Sequence, residues 1–359
     1  MRDCGSIKYI ECHGNPYEMG YQYGMQAKQE IAKMFKSDSY KWILSKSAKA
    51  KTYVRKLEDN IAKLLPELHE ELKGIADGSG QDSYAIMLLN HYPLPDDTHG
   101  RCTPIGLVSR DEGVLISKNN DGNPGDKEKH PFVIRRSVPD KGFGLPMIQV
   151  TYAGWLSGLD AMNTAGLANV HASVGSVFPR NPCDIDIGLV AYHAMRRSEN
   201  AKDFKAVLWS FPLSGKGFNI LIGDASGWAS VIEAAVPLLL ERDCNKKFLY
   251  ATNHYTVECI RNSDGRTPKG KEISTYRLGY LKWVEETNPP ENMKDLKNLL
   301  SSHDPWAPCG HGGPRIMETL WSIIFNSNTK SVFLADNTPC TNKYARYDLK
   351  TADKTRPPA

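Results

Sequence analysis

Cys102 has the clearest chemical setting in this chain. It stands in the run His99-Gly100-Arg101-Cys102-Thr103-Pro104-Ile105-Gly106, after a polar, turn-rich stretch from Pro93 to Gly100 and ahead of a strand-like run. Such a junction is a poor place for a buried core cysteine. It suits a nucleophile exposed by cutting the chain in front of it. Breaking the Arg101–Cys102 bond gives Cys102 a free α-amine, which titrates near ~8 and is a base close to neutral pH. One residue then supplies both the nucleophile and the base that takes its proton.

Several other residues have types and positions that suit partners for such a thiol. Lys118-Asn119-Asn120-Asp121-Gly122 ends a strand that pairs with the strand starting at Cys102. A hairpin of this length returns the chain near its start, so Asp121 comes close to Cys102. A carboxylate there orients the amine and the thiol; alternatively the segment is a polar turn closing a strand. Asn253-His254 follows the apolar run 248–252. An Asn at a strand end aims a side-chain N–H at a developing oxyanion. His254 is a possible dyad partner for the thiol, or the two form a hydrogen-bonded loop pair. Ser274 and Arg277 lie on a predicted helix. The Arg277 fork of donors orients a carboxylate or a substrate acid group, or the residue is an exposed helix arginine. His303, Cys309 and His311 form a loose group whose spacing matches no standard zinc pattern, so it reads as a polar loop and no metal or other cofactor is expected. No G-x-S-x-G elbow, P-loop or H-E-x-x-H is present.

The bulk properties narrow the class. The 359 residues suffice for one large domain or two modest ones with a real core. A net charge of +4, with no long basic tract, gives no support for nucleic-acid binding. The eight cysteines are scattered and contain no C-x-x-C pair, which argues against zinc ribbons and thioredoxin-like redox sites. The N-terminus Met1-Arg2-Asp3-Cys4-Gly5-Ser6 lacks an apolar segment of the secretory type. No apolar run of about 18 residues suggests a membrane span. A reducing cytoplasm is the expected setting, with most cysteines free.

The elements that must position these residues follow from periodicity. The first hundred residues read as mainly helical. Met19, Tyr23, Ala27, Ile31 and Met34 recur at helical spacing, and a second stripe runs from Val54 to Ile75, interrupted by Pro66. Gly78-Ser79-Gly80 ends that stripe, and Ser83 reads as an N-cap for a helix over 84–90. After Cys102 the pattern changes to short strands. Predicted strands cover 105–109 and 114–118 around the 110–113 turn, then 132–138, 147–152 and 167–173. A helix is predicted over 184–197. Strands over 219–223 and 228–234 flank a second hairpin at 224–227, and 248–252 is a further strand. Helices over 271–286 and 314–325 precede final strands at 332–336 and 344–349. Strands in blocks joined by hairpins, with helices between the blocks, imply antiparallel sheets in an α+β layer fold.

These fragments, in this order, resemble the acyl-coenzyme A:6-aminopenicillanic acid acyltransferase family, the C45 peptidase group of the N-terminal-nucleophile hydrolases. In the leader, Gly14-Asn15-Pro16-Tyr17-Glu18-Met19-Gly20 with Gly24 is similar to the family's opening. Glu71-Leu72-Lys73-Gly74-Ile75-Ala76-Asp77-Gly78 and Leu89-Asn90 are similar to the segment before the cut. Cys102-Thr103 then matches the nucleophile position, Lys118 to Asp121 the segment with the family's Asp, and Thr252-Asn253-His254 its oxyanion-side Asn. Ser274 with Arg277 resembles its helical Ser and Arg, and Cys309-Gly310-His311, Pro339-Cys340 and Tyr347 its C-terminal pattern. The related bile-salt and penicillin amide hydrolases normally begin at the cysteine, so the helical leader favours the acyltransferase-like branch.

The resemblance implies a four-layer αββα sandwich, two antiparallel sheets between helix layers, with a mainly helical leader. It implies a leader of residues 1–101 and a catalytic region of residues 102–359, separated by self-cleavage between Arg101 and Cys102. Cys102, Asp121, Asn253 and Arg277 are the expected catalytic residues, with Lys118, His254 and Ser274 as secondary candidates. The implied activity is hydrolysis of a linear amide of a small molecule through a thioester on Cys102. The cleaved leader stays associated, a homo-oligomer is possible, and neither nucleic acid nor membrane is involved. One position departs from the family: Arg101 stands where Gly usually precedes the cysteine, and Gly eases the strained conformation that self-cleavage needs. Three alternatives therefore stay open. These are acyl transfer to an amine, an uncleaved binding protein of the same fold, and an intact thiol peptidase using a Cys102/His254 dyad.

Overall fold

The computed structural model describes residues 7–36, 47–91, 102–179, 181, 183–244, 246–312 and 317–349. The chain opens with strand β1 (Lys8–Gly14) and helices α1 (Pro16–Gln26), α2 (Lys28–Lys36), α3 (Ser47–Leu64), α4 (Pro66–Ser79) and α5 (Ser83–His91). After Cys102 come β2 (Thr103–Ser109), β3 (Gly113–Gly122), the single turn α6 (Asp126–Lys129), β4 (Phe132–Pro139), β5 (Met147–Tyr152), β6 (Ala161–Asn163) and β7 (Ala168–Val174). Then follow β8 (Ile185–Asp186), α7 (Ile187–Arg197), α8 (Ala201–Ser210), β9 (Leu213–Ser214), β10 (Gly217–Gly223), β11 (Ala229–Ala235), β12 (Leu238–Arg242) and β13 (Phe248–Tyr250). Helices α9 (Pro268–Thr287) and α10 (Met293–Leu300) lead to β14 (Glu318–Asn326), β15 (Ser331–Asp336) and β16 (Ala345–Asp348).

The strands form an eight-stranded sheet, in the order β1-β4-β5-β6-β7-β10-β11-β12, and a six-stranded sheet, β13-β2-β3-β14-β15-β16. Their inner faces meet through Val114 and Ile116 on β3, Val170 on β7, Leu221 on β10, and Trp321 and Ile323 on β14. The outer face of the larger sheet, with Val133, Ile220 and Ile232, packs against leader residues such as Tyr23 and Leu72 and against Val190 and Phe204 of α7 and α8. The outer face of the smaller sheet, with Ile105, Leu107 and Ile324, packs against Leu278 and Leu281 of α9 and Leu296 and Leu300 of α10. The result is the αββα sandwich expected from the sequence.

Most predicted strands and both hairpins form. The turn before β3 ends at Gly113, whose φ of +75° suits a residue without a Cβ. Four expectations need correction. The first hundred residues are not purely helical, because β1 runs parallel to β4 from Lys8↔Val133 to Gly14↔Pro139. β8 and β9 form a second parallel pair, so the strand pairing is not wholly antiparallel. Of the helix expected over 314–325, residues 314–316 lie outside the described residues and 318–325 belong instead to β14, held between β3 and β15. Its Trp321, Ile323 and Phe325 face the other sheet while Ile324 faces α9 and α10, and a run buried on both faces carries no period that separates strand from helix. At α5 the cap is Asp82, whose Oδ1 accepts from the Tyr84 N–H at 2.8 Å, one residue before the Ser83 expected there.

The leader is built into the rest of the molecule. Asn15 caps α1 in a reciprocal capping box with Glu18, and Pro66 begins α4 at its first turn. Helices α1 and α4 cross at backbone contact. A Cβ on Gly20 would overlap the Glu71 carbonyl oxygen, and one on Gly74 would overlap that of Tyr17. The fully buried Glu71 carboxylate then reaches across to β4 and α7. It accepts from Arg135 and, at 2.8 Å, from Arg196, while Tyr192 donates to it at 2.7 Å. Replacing Glu71 with Ala leaves two buried guanidiniums without their shared anion. We expect this to lower unfolding free energy by about 3–5 kcal/mol. A denaturant midpoint unchanged by Glu71→Ala would contradict this account of how the leader is held.

Candidate active site

The β2–β3 hairpin sets the position of Cys102. Its register pairs Thr103 with Asn119, so the next position outward brings Cys102 opposite Asn120. The Cys102 thiol lies 3.4 Å from the Asn120 Oδ1, to which it donates. In the intact chain this thiol is buried, with 3% of the residue exposed, rather than displayed at a surface junction. Burial pushes its pKa up from the ordinary value; Lys118 pulls it down, Asp160 and Asp121 push it up, and Arg277 pulls it down. The net direction is upward, so the thiol is protonated at neutral pH.

Arg277 joins Cys102 to Asn253. Thr267 caps α9 and Pro268 starts it, and the i, i+3 spacing places Ser274 and Arg277 on its buried face. One Arg277 nitrogen donates to the Cys102 carbonyl oxygen at 2.7 Å and to the Thr103 hydroxyl at 2.9 Å. The other donates to the Asn253 Oδ1 at 2.6 Å. Because Arg277 only donates, this contact fixes which end of the Asn253 amide is oxygen. The Asn253 Nδ2 therefore points the other way and donates to the Ser173 carbonyl oxygen at 2.7 Å.

A second charged group acts on the thiol. Lys118 is fully buried, and its ammonium donates to the Asp160 carboxylate at 2.7 Å. His171 Nδ1 lies 3.1 Å from the same oxygen. Burial pushes Asp160 upward, but His171 and Lys118 outweigh it and hold the carboxyl below its usual range. Asp160 also adopts a left-handed backbone with φ +61°, uncommon for a residue with a Cβ. Asp160 and His171 were not foreseen: one stands alone in a turn, the other alone on a strand, and no local motif joins them.

The remaining candidates divide clearly. Asp121 lines the same cleft as Cys102 and accepts from the Thr319 hydroxyl at 2.8 Å. His254 instead faces the Ser274 hydroxyl at 2.7 Å and Thr252 at 3.1 Å, and it is not among the residues lining the cleft. Burial pushes its pKa down to about 4, with Arg266 and Arg277 adding to the shift. Arg101 lies outside the described residues. His303, Cys309 and His311 are away from the cleft lining, and the structure adds Cys340 to them, a fourth donor that no sequence spacing indicated.

The cleft at Cys102 holds about 140 Å³. Phe132, Tyr152, Trp155, Phe218 and Trp321 give it an aromatic lining, and Leu89, Asn90 and His91 at the end of α5 form one wall. Cys102 and the Asp121 and Asp160 carboxylates thus line an apolar space that a small molecule can enter, whereas Lys118, Asn253 and Arg277, like His254, are not among its lining residues. Such a thiol can attack a carbonyl whose substituent is apolar.

Known proteins resemble this chain in part or over most of its length. The 40 kDa form of acyl-coenzyme A:6-aminopenicillanic-acid-acyltransferase from Emericella nidulans is 26% identical over 275 residues, which span 74% of this chain and 72% of that protein. Among solved structures, penicillin V acylase from Agrobacterium tumefaciens is 16% identical with a TM-score of 0.45, covering 70% of this chain and 87% of that one. A mutant conjugated bile acid hydrolase from Clostridium perfringens is 13% identical with the same TM-score of 0.45, covering 69% of this chain and 92% of that one. No helix among the described residues is long and apolar enough to cross a membrane. The family model for acyl-coenzyme A:6-aminopenicillanic acid acyl-transferase matches residues 108–339, more than half of the 359-residue chain, and the chain belongs to that family.

Proposed function

We propose that this protein is a self-cleaving cysteine amidohydrolase of the N-terminal-nucleophile type, acting on a small linear amide in a cytoplasmic setting. The observation that carries this reading is the Arg277 fork, which holds the Cys102 carbonyl and the Asn253 amide in one buried assembly beside the thiol. In the precursor, the Cys102 sulfur attacks the Arg101 carbonyl carbon. The Arg101–Cys102 C–N bond breaks, the Cys102 nitrogen leaves as an amine after taking a proton, and a thioester remains. Water then cleaves the thioester, giving a carboxylate on Arg101 and a free thiol on Cys102. Residues 1–101 remain bound to residues 102–359 as a partner chain through β1 and the Glu71 ion pairs.

In the mature enzyme the α-amine of Cys102 takes the thiol proton as sulfur attacks the substrate carbonyl. The resulting ammonium gives that proton to the leaving amine, and water releases the acyl group from the thioester. Asn253, with its N–H side turned to Ser173 on the cleft wall, stabilises the oxyanion. Asp121 orients the terminal ammonium, and Lys118 supports the thiolate. The aromatic lining favours an apolar acyl group. Acyl transfer is the second reading, favoured by family membership and by the acyltransferase from Emericella nidulans: the same thioester passes its acyl group to an amine instead of water. A dyad with His254 is disfavoured, because that ring faces Ser274 and Thr252.

Four outcomes test this reading. Intact-mass analysis of purified protein should show two polypeptides, ending at Arg101 and beginning at Cys102, and only the full-length chain in Cys102→Ala. One full-length species after long incubation, with no amidase activity, would leave the uncleaved binding protein as the better account. Because burial holds the Cys102 thiol above its ordinary pKa, the thiolate fraction rises with pH. The cleavage rate of freshly refolded precursor should then climb about tenfold per pH unit from about pH 6 to 8; a flat profile contradicts thiolate attack. Asn253→Asp keeps an acceptor for Arg277 but removes the N–H donor, and should lower turnover by about 10²–10³-fold. His254→Ala should retain turnover, and its loss would favour the dyad.

A further inference from the structure

Four soft donors meet outside the cleft. His303, Cys309 and His311 lie between α10 and β14, and Cys340 comes from the turn after β15. Their four ligand atoms all lie within 4.8 Å of one another. The Nε2 of His311 is 3.0 Å from the Nε2 of His303, 3.6 Å from the Cys309 sulfur and 3.1 Å from the Cys340 sulfur. One imidazole nitrogen carries either a proton or a lone pair, so it satisfies one such neighbour by hydrogen bonding. The other two approaches set electron-rich atoms against each other. A cation shared by all four removes that conflict.

The spacings around His311 come close to those of one ion, while the four donors together spread over up to 4.8 Å. A tetrahedral zinc with nitrogen at about 2.0–2.1 Å and sulfur at about 2.3 Å separates its donors by roughly 3.3–3.8 Å. The three contacts to His311 fall inside that range or a few tenths of an ångström short of it. Two thiolates with two imidazoles form a donor set that selects zinc over calcium or magnesium. We propose that His303, Cys309, His311 and Cys340 bind one zinc ion. Four protein donors leave no open position, so the ion is structural.

The backbone supports a fixed site. Cys309 N–H donates to the Ser302 carbonyl at 3.2 Å, and His311 pairs with Glu318 in an antiparallel bridge. Gly310 and Thr319 are joined twice, through the Gly310 N–H to the Thr319 hydroxyl and the Thr319 N–H to the Gly310 carbonyl. Zinc here clips the β15–β16 turn to the loop that enters β14. Because Thr319 also donates to Asp121, that loop buttresses the cleft. The zinc site does not depend on the proposed amidase reaction.

Elemental analysis of full-length protein from zinc-supplemented medium should find about one zinc per chain, largely lost in Cys309→Ser and in Cys340→Ser. Cobalt exchanged into the wild type should give a thiolate-to-cobalt charge-transfer band and the intense visible bands of a tetrahedral site. Per bound cobalt at saturating metal, the charge-transfer intensity should be about half in either serine variant and unchanged in His303→Ala. If the serine variants fail to fold, zinc content and the cobalt spectrum of the wild type still decide. Only trace zinc with no cobalt–thiolate band overturns the proposal. So does a wild-type chain lighter by two hydrogens, with Cys309 and Cys340 recovered in one disulfide-linked peptide.

Discussion

The site rests on one buried guanidinium. Arg277 is almost fully buried, and a cation in that position is tolerated only if its donors find acceptors. It finds them at the start of β2, in the Cys102 carbonyl and the Thr103 hydroxyl, and just beyond β13, in the Asn253 amide. These three acceptors anchor the guanidinium, and its charge lowers the pKa of the Cys102 thiol. The position of Arg277 is set in turn by α9, whose Leu278 and Leu281 pack against Ile105 and Leu107 of β2. Hydrophobic packing therefore places the cation, and the cation places the backbone of Cys102.

A second constraint comes from the leader. Its glycines let α1 and α4 approach until backbone touches backbone, which brings Glu71 to Arg135 and Arg196. One carboxylate between two guanidiniums is costly to bury and costlier to break, so the leader helices and the larger sheet hold a fixed relation. The end of α5 then contributes a wall of the cleft. The leader is consequently part of the scaffold around Cys102.

Much of this could be read from residue order. Hairpin signals around 110–113 and 224–227 fixed the strand pairs, and the length of the first placed Asp121 near Cys102. The relation of Asn253 to Arg277 was visible only as two separate candidates, because a strand end and a helix face meet through tertiary packing. Strand β14 was misread because both of its faces are buried. Asp160, His171 and Thr319 carried no local signal, and Cys340 only its place in the family's C-terminal pattern. Each becomes informative only when the fold sets it beside Lys118, Asp121 or His311, tens of residues away. The resemblance to a family supplied the roles of residues whose spacing alone left alternatives open.

The charges around Cys102 act differently before and after the proposed cut. In the intact chain Asp160 and Asp121 raise the thiol pKa and so oppose the thiolate that must attack Arg101. Lys118 counters them, but its ammonium is shared with Asp160 at 2.7 Å. After the cut, Cys102 gains an ammonium of the opposite sign at nearly the same place. The same two carboxylates then favour the charged group instead of resisting it. Thr319 fixes the position of Asp121 for this second role through its hydroxyl. A site arranged in this way opposes the thiolate in the intact chain and suits a terminal ammonium after the proposed cut.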